Sequence, residues 1–122
     1  MTRQAYNALK ESIQHWKRLS EGQRLPNERI GGDHCALCKE FINTGRGCKG
    51  CPVYEKKKVP GCQGTPWISI TTFAYSNDLS AGSHALYIHP EFLRLAKLEL
   101  SFLESLLPLE DEVEEEEVDL GF

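Results

Sequence analysis

The stretch Cys35-Ala36-Leu37-Cys38, then Cys48-Lys49-Gly50-Cys51, then Cys62 holds every cysteine of the 122-residue chain. Two Cys-x-x-Cys pairs are separated by nine residues, and the fifth thiol follows ten residues after the second pair. A two-residue spacer directs both sulfurs of a pair to one side of a tight turn, and two such turns facing each other supply the tetrahedral sulfur cage that Zn²⁺ accepts. Gly45, Gly47 and Gly50 give the second pair the backbone freedom of tight turns. Lys39, Arg46 and Lys49 offset the double negative charge of a zinc tetrathiolate. The reading is one structural Zn²⁺ held by Cys35, Cys38, Cys48 and Cys51. Cys62 is an alternate ligand, the main other set being Cys35, Cys38, Cys51 and Cys62. His34 could also replace a sulfur, although a surface histidine beside Asp33 is the plainer reading.

Competing chemistries fit less well. Disulfides are disfavoured by the odd count and by the lack of a secretory apolar run in Met1 to Lys10. A redox Cys-x-x-Cys opens a helix in a βαβ context that the sequence does not suggest. Cys51-Pro52 resembles the close of a bacterial ferredoxin run, but the long gaps do not match that spacing. Unligated core thiols are the remaining alternative.

Outward from the cysteines, residues 2–20 read as a helix. Thr2 serves as N-cap, Ala5, Leu9, Ile13 and Trp16 form one apolar stripe, and Gly22 closes the C-terminus. Residues 33–64 are rich in Gly and Lys and poor in Leu, Ile and Val, so they build little core of their own. Residues 67–75 favour a strand by their β-branched and aromatic content. Residues 79–88 are ambiguous, with Ala85 to Ile88 compatible with a short strand. Pro90 and Glu91 open a second long helix, expected to run to Leu107 before Pro108 stops it. Leu93, Ala96, Leu100, Leu103 and Leu107 make one stripe on it, and Phe92, Leu95, Phe102 and Leu106 another. A helix apolar on two faces is either central to the domain or covered by a partner. The predicted architecture is a small α-rich (α+β minor) zinc-stapled single domain. The N- and C-terminal helices flank a zinc-knuckle segment and pack together, with Ile13, Trp16, Phe92, Leu95, Leu103 and Leu106 in the core.

Charge is segregated. The chain carries a net −4, yet residues 110–122 hold eight acids and no base, so residues 1–109 have a net +4. The globular domain is accordingly drawn as 1–109 and the tail as 110–122, a solvated, disordered appendage because like charges repel. No run reaches the ~18 apolar residues of a membrane span, and the expected setting is cytoplasmic.

The motifs Asp33-His34-Cys35-Ala36-Leu37-Cys38, Cys48-Lys49-Gly50-Cys51-Pro52-Val53 and Gly61-Cys62-Gln63-Gly64-Thr65-Pro66-Trp67 resemble small zinc-ribbon-like proteins encoded by tailed bacteriophages. His15-Trp16 and the stretch from Glu99 to Pro108 complete the pattern over about 100 residues. Residues 76–90 and the tail stand outside it. The resemblance implies a phage origin, hence a host cytoplasm, and a bound metal, but no activity.

An enzyme needs a nucleophile, a base or an open metal position, and all-cysteine zinc sites are closed; catalytic residues are therefore expected to be absent. A metal-dependent nuclease of the His-Asn-His type is the enzymatic alternative, and Asp33-His34 is crowded against the first cysteine pair. Nucleic-acid binding would use Lys49, Tyr54, Lys56, Lys57 and Lys58, cations beside a stacking ring. In that reading the tail competes with the polyanion for the basic segment. The leading expectation is a non-enzymatic accessory protein that binds and modulates or inhibits a host protein machine. Val118, Leu120 and Phe122 supply apolar contacts in an acidic tail that could also mimic DNA phosphates.

Overall fold

A computed structural model describes residues 2–26, 28–30, 65–109 and 112–113. Every regular element among them is helical: α1 (Arg3–Ser20), α2 (Pro66–Ser76), α3 (His84–Ile88) and α4 (Pro90–Glu104). The ends of α1 are set by local chemistry. The Thr2 hydroxyl accepts the Ala5 N–H at 3.1 Å. At the other end Gly22 takes φ +71°. Gln23 N–H then reaches the Arg18 carbonyl at 2.8 Å and Gly22 N–H the Leu19 carbonyl at 3.3 Å, a Schellman closure.

The helix α4 is the centre of the assembly: α1 and α2 pack along it, and α3 leads into it. Packing against two neighbours accounts for apolar residues on more than one face of it. Leu9, Leu19, Ile70, Leu86 and Phe92 are fully buried, drawn from all four helices. Burying each of these side chains contributes ~1.5–3 kcal/mol. Ile13, Trp16, Phe92, Leu95 and Leu103 lie in the core as expected, and Leu106 packs partly buried against it. Val113 is also buried, just after a turn in which Glu112 N–H bonds to the Leu109 carbonyl.

Two expectations are corrected. The predicted strand at 67–75 is the helix α2, and the segment Ala85 to Ile88 belongs to the short helix α3. Intrinsic β preference gave way to packing. Pro66 occupies the first turn, where its missing N–H costs nothing. Ile70 and Ala74, four residues apart, are the buried positions of α2. Thr71 adapts to the helix by donating its hydroxyl to the Ile68 carbonyl at 3.0 Å. The last helix also ends earlier than Pro108 demands: after Glu104, Leu106 and Leu107 bond three residues back in a tightened turn.

Candidate functional site

A polar clasp stands where the chain enters the cysteine segment. Its centre is Glu28, with a side chain only 7% exposed. Arg18 Nε donates to both Glu28 oxygens at 3.1 and 3.2 Å, and its Nη2 donates to Oε2 at 2.7 Å. Leu25 N–H donates to Oε1 at 2.9 Å. His15 Nδ1 lies 2.6 Å from Oε2; an ionised carboxylate only accepts, so Nδ1 carries the proton. Burial alone would push the Glu28 carboxyl up, but Arg18, the Leu25 amide and His15 overcome it and hold the group at about 2.

The sequence places His15 and Arg18 three residues apart on α1, so one helix face presents both to the returning loop. Arg24 then ties the loop to the rest of the body. Its Nη1 donates to the Glu28 carbonyl at 2.9 Å, and its guanidinium lies 4.2 Å from the Tyr87 ring centroid. Tyr87 accepts the Ile30 N–H at 3.2 Å and donates its hydroxyl to the Ala81 carbonyl. Burial raises the Tyr87 pKa, which keeps the phenol a donor. Its ring meets Phe92 edge-on at 5.2 Å. Finally, Trp67 Nε1 donates to the Ile30 carbonyl at 3.2 Å.

Ile30 and Trp67, which bracket residues 31–64 in the sequence, are therefore in contact. This contact is a closed stem, and α1, α2 and α3 each supply a side chain that holds it or its approach. Neither Glu28 nor Tyr87 was singled out by the sequence. Glu28 lies in a Pro-containing loop among other polar residues, and its partners are ten and thirteen residues away. The only local hint was the His15–Arg18 spacing.

The expected metal ligands Cys35, Cys38, Cys48, Cys51 and Cys62, with His34, lie outside the described residues. So do the expected polyanion contacts Lys49, Tyr54, Lys56, Lys57 and Lys58, and the tail residues Val118, Leu120 and Phe122. Among the described residues no three His, Cys, Asp or Glu side chains converge on a metal-sized centre. His15 is engaged with Glu28. His89 caps α4, its Nδ1 accepting the Glu91 N–H at 3.1 Å, while its ring meets Phe73 at 4.9 Å.

No helix among the described residues is long and apolar enough to cross a membrane. Comparison with protein-family models, curated proteins and solved structures gave no match to this chain.

Proposed function

We propose that this protein is a non-catalytic, protein-binding accessory module: a helical platform carrying a zinc-stapled loop, directed at a protein machine of a bacterial host. The observation that carries the binding role is a charge-poor stretch across α2 and α3. From Pro66 to Pro90 the one formally charged residue is Asp78, in a chain that is 26% charged. Tyr75 is 88% exposed and Ile88 58%. Charge depletion with exposed aromatic and aliphatic groups is the signature of an interface core. The zinc part of the reading rests on the paired Cys-x-x-Cys spacing, and the closed stem at Ile30 and Trp67 is the kind of anchor such a module needs. The phage setting follows from the motif resemblance.

The test is affinity capture from bacterial lysate with tagged full-length protein, with a form ending at Leu109, and with Tyr75→Glu and Ile88→Glu variants. A host protein retained by the first two and released by either charge variant is the expected result. Loss of that protein on removing the tail alone would move the interaction to residues 110–122. A chain that retains no host protein would overturn the binding role.

A second reading, polyanion binding, is favoured by one feature of α1. Arg3, Lys10 and Lys17 recur at seven-residue intervals on its outer face, and Lys10 Nζ and Arg3 lie 4.5 and 5.4 Å from the Tyr6 ring centroid. Single-stranded DNA titrated at low salt separates the two: binding weakened by Lys10→Glu would support the polyanion role.

A further inference from the structure

Two guanidiniums converge on the corner where the α2–α3 connection meets Tyr87. Arg24 lies 4.2 Å from the Tyr87 ring centroid and is tied back by its bond to the Glu28 carbonyl. The Tyr87 hydroxyl donates to the Ala81 carbonyl, and Arg29 covers the next residue, Gly82. A Cβ on residue 82 would stand 3.3 Å from Arg29 Nη2, 3.4 Å from its Cζ and 3.6 Å from its Nη1. These nearly equal distances mean that the guanidinium lies face-on to the backbone, a close approach that glycine permits. Burial raises the Tyr87 pKa, and the Ile30 N–H and both guanidiniums act against it, so both cations reach the same phenol. Among the described residues neither Arg24 nor Arg29 has a carboxylate partner: Glu28 is engaged by Arg18 and His15, and Glu91 by Arg94. Arg24 is half-buried and Arg29 exposed. Both are held by stacking, and most of their N–H donors are unspent.

This cationic corner adjoins the charge-poor face. Gly82 lies just before α3 and Ile88, 58% exposed, ends it, so at 1.5 Å per helical residue the two stand roughly 10 Å apart. A few extended residues span that distance. Building on the protein-binding reading above, we infer that this face docks an acidic segment of the partner protein, with carboxylates meeting Arg24 and Arg29 and apolar side chains meeting Ile88. Charge complementarity selects the occupant. Planar guanidiniums pair bidentately with carboxylates, and arginine is enriched where aromatic and aliphatic groups form an interface core. Their stacking leaves less rotamer freedom to lose on binding. A nucleic acid fits this face less well. No Lys or Arg lies between Pro66 and Pro90, so the two arginines would neutralise few phosphates, and polyanion affinity grows with that number.

The probe is a short fluorescein-labelled peptide with Glu residues around one Leu and one Phe, titrated by anisotropy into the full-length chain at low and at high salt. Its Gln-for-Glu analogue and oligo-dT are titrated alongside. The acidic peptide is expected to bind, salt to weaken it, and the Gln analogue to bind about tenfold more weakly, since each exposed pair contributes up to about fivefold. On the same scale Arg29→Gln should weaken the acidic peptide about threefold and Arg29→Glu about tenfold. Arg29→Lys, which keeps the charge, should keep most of the binding. Ile88→Glu should weaken it too, because a carboxylate then faces the acidic segment. Arg29 is exposed, so its variants should match the native chain in urea, which separates a lost contact from a damaged fold. Equal binding of the acidic and Gln peptides, or unchanged binding by Arg29→Glu, overturns the inference. Oligo-dT held more tightly than the acidic peptide, and released by Arg29→Glu, also overturns it, in favour of a polyanion site. Lysate capture separates the acidic segment from the binding role itself. A host protein held equally by native and Arg29→Glu chains but released by Ile88→Glu overturns the inference and leaves the binding role standing. A native chain that retains no host protein overturns both.

Discussion

Replacing Glu28 by Gln tests the clasp directly, because the amide keeps the shape of the side chain and removes its charge. Arg18, His15 and the Leu25 amide all donate to this carboxylate, whose side chain is 7% exposed. Holding the carboxyl at about 2 rather than its ordinary 4.5 corresponds to about 3 kcal/mol of stability at neutral pH. Removing one partner of a buried ion pair costs ~3–5 kcal/mol. Arg18 is one-third exposed, which favours the lower end. Glu28→Gln is therefore expected to lose about 3 kcal/mol at pH 7, measured by urea unfolding through the fluorescence of Trp16, whose ring lies 5.3 Å from His15. The pH dependence carries an independent check. A carboxyl with a depressed folded pKa contributes stability that is complete above the unfolded value of 4.5 and is lost as pH falls through the folded value of about 2. The native chain should lose stability more steeply than the variant over that window. A loss below about 1 kcal/mol, the scale of an exposed ion pair, or parallel acid profiles in the two chains, would refute the reasoning.

Other substitutions probe the remaining links. Tyr87→Phe removes the hydroxyl that joins the Ile30 amide to the Ala81 carbonyl, and thermal denaturation should show a loss of ~1–3 kcal/mol from the buried groups left unsatisfied. Leu9→Ala, at a fully buried position, should cost ~2–5 kcal/mol in urea. Leu98→Ala on α4, at 46% exposure, should stay within about 0.5 kcal/mol. Gly22→Ala meets no neighbour within 4 Å but must adopt φ +71°, so its expected cost of ~1–2 kcal/mol by chemical denaturation is backbone strain alone.

Much of the helical framework was legible because its signals are local. Thr2, Gly22, Pro90 and Glu91 mark helix ends through chemistry acting within one turn, and the stripes on α1 and α4 repeat at helical spacing. The five cysteines are a signal of the same kind, since spacing alone proposes a metal and narrows its geometry. Helix α2 was not legible. Trp67, Ile68, Ile70, Phe73, Ala74 and Tyr75 form no single stripe, and without charged residues nothing marked a solvent face. Burial of Ile70 and Ala74 against the body decided the element against its β preference. The Glu28 clasp was hidden for a different reason. Its partners come from α1 and from a backbone amide in its own loop, and a carboxylate in a polar loop looks solvated until its donors surround it. The contact between Ile30 and Trp67 was hidden in the same way, for these residues are 37 positions apart. Sequence thus determined the elements whose caps and periodicity are local, together with the thiol chemistry the chain carries. Tertiary structure decided which residues far apart in the chain close the stem of that segment, because only packing around α4 brings them within hydrogen-bond reach.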